Sequence, residues 1–217
     1  MPLKVAIIPV TPLQQNCTLM WCTDTMQGVA IDPGGDIDAV QDAIAELGFT
    51  LVKALLTHGH FDHVGGAMDL AERTGAPIVG PHKDDEFITT KVVEGGQKFG
   101  LGGGRDISGN MWLNDGDTVE FGNLTLDVLH TPGHTPGHIV FYNAEAQVAQ
   151  VGDVLFKGSI GRTDFPRGDL DTLITSITTK LWPLGDDVAF VPGHGPTSTF
   201  GEERATNPFV GDRALKG

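Results

Sequence analysis

Basic side chains are scarce. Fourteen Lys and Arg stand against 28 Asp and Glu, a formal net charge of −14. That balance argues against a sequence-independent grip on nucleic acid or on an anionic membrane surface. Cysteine is scarcer still, with only Cys17 and Cys22, too few for a disulfide framework or a thiol-only metal cluster. The two lie five apart in what reads as one strand, so they point to opposite faces and cannot pair with each other. Two free thiols fit a reducing cytoplasm. No apolar run approaches the roughly 20 residues that cross a bilayer. The first residues lead into a short apolar stretch broken by Pro9, without the cleavage pattern of a secretory signal. Gly102-Gly103-Gly104 lacks the Gly-Lys-Ser/Thr that a phosphate cradle needs. The expectation is a cytoplasmic protein that binds neither membrane nor nucleic acid.

Glycine, by contrast, is plentiful at 30 of 217 residues, which suggests many tight turns and a β-rich fold with functional loops. Apolar or β-branched segments at 5–10, 16–22 and 28–32 read as strands. Asp36 is placed to cap a helix whose stripe is Val40, Ala43, Ile44 and Leu47, with Gly48 ending it. The run 51–57 is nearly all apolar, as in a strand buried on both faces, and a helix over 65–74 and a short strand at 77–80 follow. Residues 82–90 suggest a short polar helix. The stretch 95–109 holds seven Gly in fifteen residues and reads as a mobile loop beside the site. Strand patterns return at 118–121, 124–129, 138–142 and 148–151. Helical spacing over 169–181 is closed by Pro183, and a last strand at 188–191 leads to His194. Two successive β-then-α halves predict two sheets packed face to face with helices outside, an α+β sandwich in a single domain over residues 1–217.

The chemistry concentrates in His58-Gly59-His60-Phe61-Asp62-His63, four metal-binding side chains in six residues at the end of the predicted buried strand. His134, Asp153 and His194 extend the set to seven. All are imidazole or carboxylate, an inventory suited to zinc, iron or manganese and larger than one ion requires. His58 and His60, two apart on an extended segment, project from one face and can reach one ion. Asp62 and His63 follow a sharp turn and can address a neighbouring ion. Histidines that merely hydrogen-bond in the core are the alternative, and four ligand types in six residues argue against it. His138 suits a structural partner better than a neighbour of the ligands, His82 and His130 have no ligand-like context, and Phe61 is read as packing.

Thr57-His58-Gly59-His60-Phe61-Asp62-His63, Thr131-Pro132-Gly133-His134-Thr135, Val151-Gly152-Asp153 and Pro192-Gly193-His194-Gly195 resemble, in order, the motifs of the metallo-β-lactamase superfamily. Within it the chain looks most like the short bacterial glyoxalase-II-like hydrolases, to which the run Gly158–Pro166 is also similar. The resemblance implies the αββα sandwich. It implies two divalent ions, zinc foremost and iron or manganese as the other candidates. His58, His60 and His134 would hold the first ion and Asp62, His63 and His194 the second, with Asp153 bridging both and Asp62 also orienting the attacking hydroxide. It implies a small-molecule thioester substrate such as S-lactoylglutathione. Arg162 stands where these enzymes commonly place a Lys facing the glycine carboxylate of glutathione; the competing reading is a surface arginine paired with Asp164.

The resemblance has departures. The chain runs only to Gly217 beyond His194, so the C-terminal helical domain of larger glyoxalase II proteins is expected to be missing. Pro196 and Asp164 stand where those enzymes often have Tyr, which predicts an open pocket with looser specificity. A mononuclear-iron persulfide dioxygenase and a lactonase or esterase of the same fold are the alternatives. Antibiotic hydrolysis is disfavoured by His63 directly after Asp62 and by the lack of Cys in the set.

Overall fold

Side-chain alternation along the strands sorts the apolar residues into three layers. The computed structural model describes residues 2–216. Its first sheet takes β1 (Leu3–Val10), β2 (Gln15–Cys22), β3 (Gln27–Ile31), β4 (Thr50–Leu55) and β5 (Ile78–Val79) in that spatial order, antiparallel to β3 and parallel after it. On β2 to β4, Leu19, Ala30 and Ala54 face outward, where α1 (Ile37–Leu47) and α3 (Ala67–Thr74) cover them with Val40 and Leu70. Their neighbours Met20, Val29, Ile31 and Leu55 face inward. That is period two, and it leaves each strand apolar on both faces.

The second sheet comprises β6 (Thr118–Phe121), β7 (Leu124–His130), β8 (Ile139–Asn143), β9 (Val148–Gly152), β12 (Ala189–Pro192) and β13 (Ser198–Thr199), in the order β13-β12-β9-β8-β7-β6. Leu126, Val128 and Phe141 meet the first sheet in the inner layer. Val140, Ala149 and Val151 turn outward to Leu173 on α6 (Leu170–Ser176). Full burial of a Phe or Leu contributes roughly 1.5–3 kcal/mol, so the inner layer binds the sheets to each other. Layer order is therefore helix, sheet, sheet, helix. Between β9 and α6 lies a separate hairpin, β10 (Leu155–Phe156) and β11 (Ser159–Ile160), and α7 (Phe200–Thr206) follows β13. No helix among the described residues is long and apolar enough to cross a membrane.

Four local expectations change. Asp36 adopts a left-handed backbone (φ 49°) and does not cap α1; its carboxylate accepts from Thr11 N at 2.6 Å. The helix expected over 65–74 is interrupted. A single turn, α2 (Phe61–Val64), precedes α3, because the 33–34 backbone passes so close that Gly66 N donates to Pro33 O at 3.0 Å. The glycine-rich stretch begins as helix, since α4 (Glu86–Thr89) is followed by α5 (Val92–Lys98), and the irregular part beyond is pinned by the buried Ile107. The 169–181 helix keeps α-helical form only to Ser176 and widens to a π turn over Ile177–Leu181. Asp169 caps its start by accepting from Thr172 N at 2.8 Å. Cys17 and Cys22 are buried free thiols in different core layers.

Candidate metal centre

β4, β7, β9 and β12 each end beside one of the sequence motifs, and the loops that follow converge. His58, His63 and His134 are buried; Asp62 and Asp153 are nearly so. The atoms that meet can be read from the bonds made on the far side of each ring. His58 Nδ1 lies 3.1 Å from Thr57 Oγ1, whose own proton goes to Asp32 Oδ2 at 2.6 Å, so His58 donates from Nδ1 and presents the Nε2 lone pair. His134 donates Nδ1–H to the carbonyl of Arg162 at 2.7 Å. His63 donates Nδ1–H to Asp32 Oδ2 at 2.9 Å, and His194 donates Nδ1–H to the carbonyl of Leu13 at 3.2 Å. Four rings thus turn Nε2 inward. His60 turns Nδ1 inward.

These inward atoms, with the carboxylates, form two groups. His60 Nδ1 lies 3.1 Å from His58 Nε2 and 3.0 Å from His134 Nε2. Neighbouring nitrogens around a tetrahedral ion with bonds of about 2.0–2.1 Å are themselves roughly 3.3 Å apart, so the spacing suits a shared cation. The second group is Asp62, His63 and His194, with His194 Nε2 3.2 Å and His63 Nε2 3.7 Å from Asp62 Oδ2. Asp153 stands between the groups. Its Oδ1 is 3.4 Å from His63 Nε2, and its Oδ2 is 3.6 Å from His134 Nε2 and 3.9 Å from His194 Nε2. His63 Nε2 and Asp153 Oδ1 are buried without a hydrogen-bond partner. Orphaned polar atoms of that kind are rare and costly in a folded interior. A pair of cations in this cage would engage both.

Electrostatics divides the rings in the same way. Burial, reinforced by the neighbouring imidazoles, holds His58 well below the ordinary histidine value and His60 down at about 3, keeping both neutral. Burial also lowers His134, against the pull of Asp153. Burial acts likewise on His63 and His194, but the carboxylates of Asp153 and Asp62 outweigh it and raise both. Asp153 shows the reciprocal effect: burial would raise it, and the cationic His63 beside it holds it well below the carboxylate range. With no metal bound, protons on His63 and His194 take the place of cations.

Two glycines of the motifs are explained by proximity. A Cβ on Gly193 would stand 2.1 Å from Asp153 Oδ1 and 2.6 Å from His63 Cε1. Gly152 has φ 50°, and a Cβ there would stand 2.6 Å from both His138 Nε2 and Thr57 Oγ1. His138 itself is buried and stacked on His58 at 4.8 Å. It accepts from Asp153 N at 3.1 Å, so it fixes the backbone of Asp153 and presents no lone pair to the centre. His82 and His130 stack on each other at 4.3 Å, apart from the seven residues.

Two carboxylates were missed in the sequence. Asp32 receives Thr57 N at 2.7 Å besides Thr57 Oγ1 and His63, and so ties β3 to the first ligand motif. Asp85 is fully buried and receives Gly59 N at 2.9 Å, Thr135 Oγ1 at 2.8 Å and Gly137 N at 2.6 Å. One side chain therefore joins the loop of His58 and His60 to the loop of His134. Burial pushes the Asp85 carboxyl up to about 6, against the hydrogen bonds from Thr135, Gly137 and Gly59. The only signal for Asp32 was a carboxylate ending an apolar strand. Asp85 sat in a polar segment that gave none.

Five of the seven, His60, Asp62, His134, Asp153 and His194, floor a cavity of about 1050 Å³, and His58 and His63 are buried. Phe165 packs 4.6 Å from the His60 ring and 5.7 Å from that of His134, and Phe156 lies 6.5 Å from His194. Arg162 is on the rim. Its Nε and Nη2 donate to Asp164 at 2.6 and 2.5 Å, and its guanidinium lies 4.4 Å above the Phe165 ring.

A helix–sheet–sheet–helix sandwich with imidazoles and carboxylates gathered at strand ends is a metal-dependent hydrolase architecture. The chain belongs to the metallo-β-lactamase superfamily, whose family model matches residues 10–194. It is 46% identical to the hydroxyacylglutathione hydrolase GloC of Haemophilus influenzae, across 98% of this chain and 100% of that protein. Among solved structures it resembles the BLEG-1 B3 metallo-beta-lactamase, with TM-score 0.88, 33% identity, and 95% and 99% of the two chains covered. It also resembles TTHA1623 in a di-iron-bound form, with TM-score 0.86, 35% identity, and 94% and 99% covered.

Proposed function

We propose that the protein is a binuclear metal-dependent thioesterase that hydrolyses S-(2-hydroxyacyl)glutathiones, with S-lactoylglutathione as the reference substrate. One observation carries this reading: Asp153 stands between the two groups of ligand atoms, its Oδ1 3.4 Å from His63 Nε2 and its Oδ2 3.6 Å from His134 Nε2 and 3.9 Å from His194 Nε2. The near-complete overlap with a hydroxyacylglutathione hydrolase supports the substrate class. His58, His60 and His134 would hold one ion, Asp62, His63 and His194 the other, and Asp153 both. The donor set suits zinc, with iron or manganese as the other candidates. When bound, such ions supply a water acidified toward about pKa 7 and positive charge opposite a developing oxyanion.

The protein's own share is positional. Asp62, whose Oδ2 lies 3.2 Å from His194 Nε2, would orient an attacking oxygen. Phe156 and Phe165 keep bulk water from the neighbouring imidazoles. A thiolate leaves without a strong general acid, and the site offers no neutral acid for that task. Arg162 suits a substrate carboxylate on the rim, in exchange for part of its bond to Asp164. The two free buried thiols support a reducing, cytoplasmic setting.

Purified protein is expected to contain close to two transition-metal ions per chain and to cleave S-lactoylglutathione. One iron per chain, oxygen uptake with glutathione persulfide and no thioester cleavage would replace this reading with the dioxygenase. Turnover of a β-lactam or a lactone in place of the thioester would also overturn it. Asp85→Asn keeps the shape but points an amide N–H at a backbone donor. It is expected to lower metal retention and kcat/KM by about 10- to 100-fold, as for other groups that orient metal ligands. Retention equal to wild type after dialysis would remove Asp85 from this role.

A further inference from the structure

Five of the chain's eleven phenylalanines line the one cavity above the proposed metal centre: Phe61, Phe87, Phe99, Phe156 and Phe165. On the wall built by α4 and α5, Phe87, Ile88 and Phe99 face the cavity beside Lys91, Glu94 and Lys98. Phe61, within the ligand loop itself, stacks on Phe99 with ring centroids 5.4 Å apart and planes at 24°. Gly95 packs against Phe61, where a Cβ would stand 3.5 Å from the Cβ and 3.9 Å from Cδ1 of that residue. Ile88 continues the surface, with the buried Val92 behind it. At the mouth, Phe99 and Leu13 are 55% and 40% exposed. The polar members of this wall stand on α5 and at its start: Lys98 is paired with Glu94 at 2.8 Å, and Lys91 is exposed. Across the cavity, the strip from Phe156 to Pro166 carries Lys157, Ser159 and Arg162.

A lactoyl group is poorly matched to such a wall. It presents one methyl to a surface made of rings and branched side chains, in a cavity at the upper end of the size range for small-molecule sites. The glutathione limb is polar and anionic, which suits the strip with Lys157 and Arg162. We propose that the acyl limb of the natural substrate is an extended apolar chain seated on Phe61, Ile88 and Phe99. The enzyme then prefers longer 2-hydroxyacyl thioesters to lactoyl. The inference rests on the thioesterase reading above and adds its substrate class. Apolar area that stays exposed in the free protein is buried when substrate binds, which is the usual meaning of an exposed apolar patch.

The test is kcat/KM for straight-chain S-(2-hydroxyacyl)glutathiones with three, four, six and eight acyl carbons, on the metal-loaded protein. At about 0.8 kcal/mol per buried methylene, the gain is up to about fourfold for each one. Allowing for partial burial, the six-carbon substrate should exceed lactoyl by about 30-fold. Phe99→Ala should flatten the rise to less than about 1.5-fold per methylene, and Phe99→Leu should keep most of it. Failure to cleave any member of the series would sink the thioesterase reading itself. Cleavage of lactoyl with a flat or falling series would leave that reading in place and overturn the apolar-acyl inference. A rise that persists in Phe99→Ala, with normal metal content, would overturn the assignment of this wall.

Discussion

Asp153→Asn is expected to lower kcat/KM by at least about 10³-fold while the protein stays folded and monodisperse. Asn has nearly the same volume, and His138 would still accept from its backbone N–H, as it does at 3.1 Å now. What changes is charge and donor character. The carboxylate oxygens lie 3.4 Å from His63 Nε2 and 3.6 Å from His134 Nε2, and both of those atoms present lone pairs. In one rotamer the amide N–H₂ faces His63, in the other it faces His134, and in neither is there a negative charge to share between two cations. Losing several kcal/mol of charge stabilisation corresponds to about three decades in rate. Metal content should drop toward one ion per chain. Steady-state kinetics and elemental analysis on the same sample decide it: turnover within tenfold of wild type with two ions retained would show that Asp153 does not join the two groups.

Chelation should have the second large effect. Removing the ions is expected to abolish turnover and to lower the melting temperature by about 10 °C. A ligand present at about 1,000 times its Kd stabilises by roughly 4 kcal/mol, and a chain of this size shifts by about 2–4 °C per kcal/mol. The direction follows from the cage. Without cations, the inward nitrogens of His58 and His134 both face His60 Nδ1, at 3.1 and 3.0 Å, and a single ring proton there satisfies one of them at most.

The melting deficit should also widen with pH. His63 and His194 have pKa values raised above the ordinary 6.5, so their protonation stabilises the folded apoprotein fully below 6.5 and is lost as pH rises through the raised values. His58, His60 and His134 are lowered and act in the opposite sense, but only below 6.5, where the unfolded chain takes up their protons. Above 6.5 the raised pair sets the sign among the seven residues, and the buried thiols, distant from the ions, act alike with and without metal. The apoprotein should therefore lose stability on going from pH 7 to pH 9. Thermal scans of the chelated and metal-restored protein across that range would check it; a gap that narrows with pH would contradict this electrostatic account.

Much of the fold was legible in the order of residues because period two survives in the strands. Leu19 and Met20, Ala30 and Ile31, or Val140 and Phe141 each divide between an outer and an inner layer, as alternation along an extended chain requires. The helix over 65–74 misled because nothing local reports that Pro33 and Gly34 lie against Gly65 and Gly66. Asp36 looked like a cap for the same reason: its partner, Thr11 N, is 25 residues away. Arg162 allowed two readings, a substrate carboxylate or Asp164, and the structure displays the pairing with Asp164 two residues on.

What this sequence determined alone was an inventory and a rhythm: seven imidazole and carboxylate side chains at the ends of apolar segments, and the alternation that stacks two sheets. Those are local properties, set by residue type and by spacing of a few positions. Tertiary structure decided which nitrogen each ring turns inward, because that depends on a carbonyl or carboxylate such as Arg162 O or Asp32 reached from a distant segment. It also decided that Asp85 fastens two ligand loops and that five phenylalanines meet in one cavity. Contacts between segments 26 to 181 residues apart in the chain leave no periodic trace, so only the folded chain brings them into view.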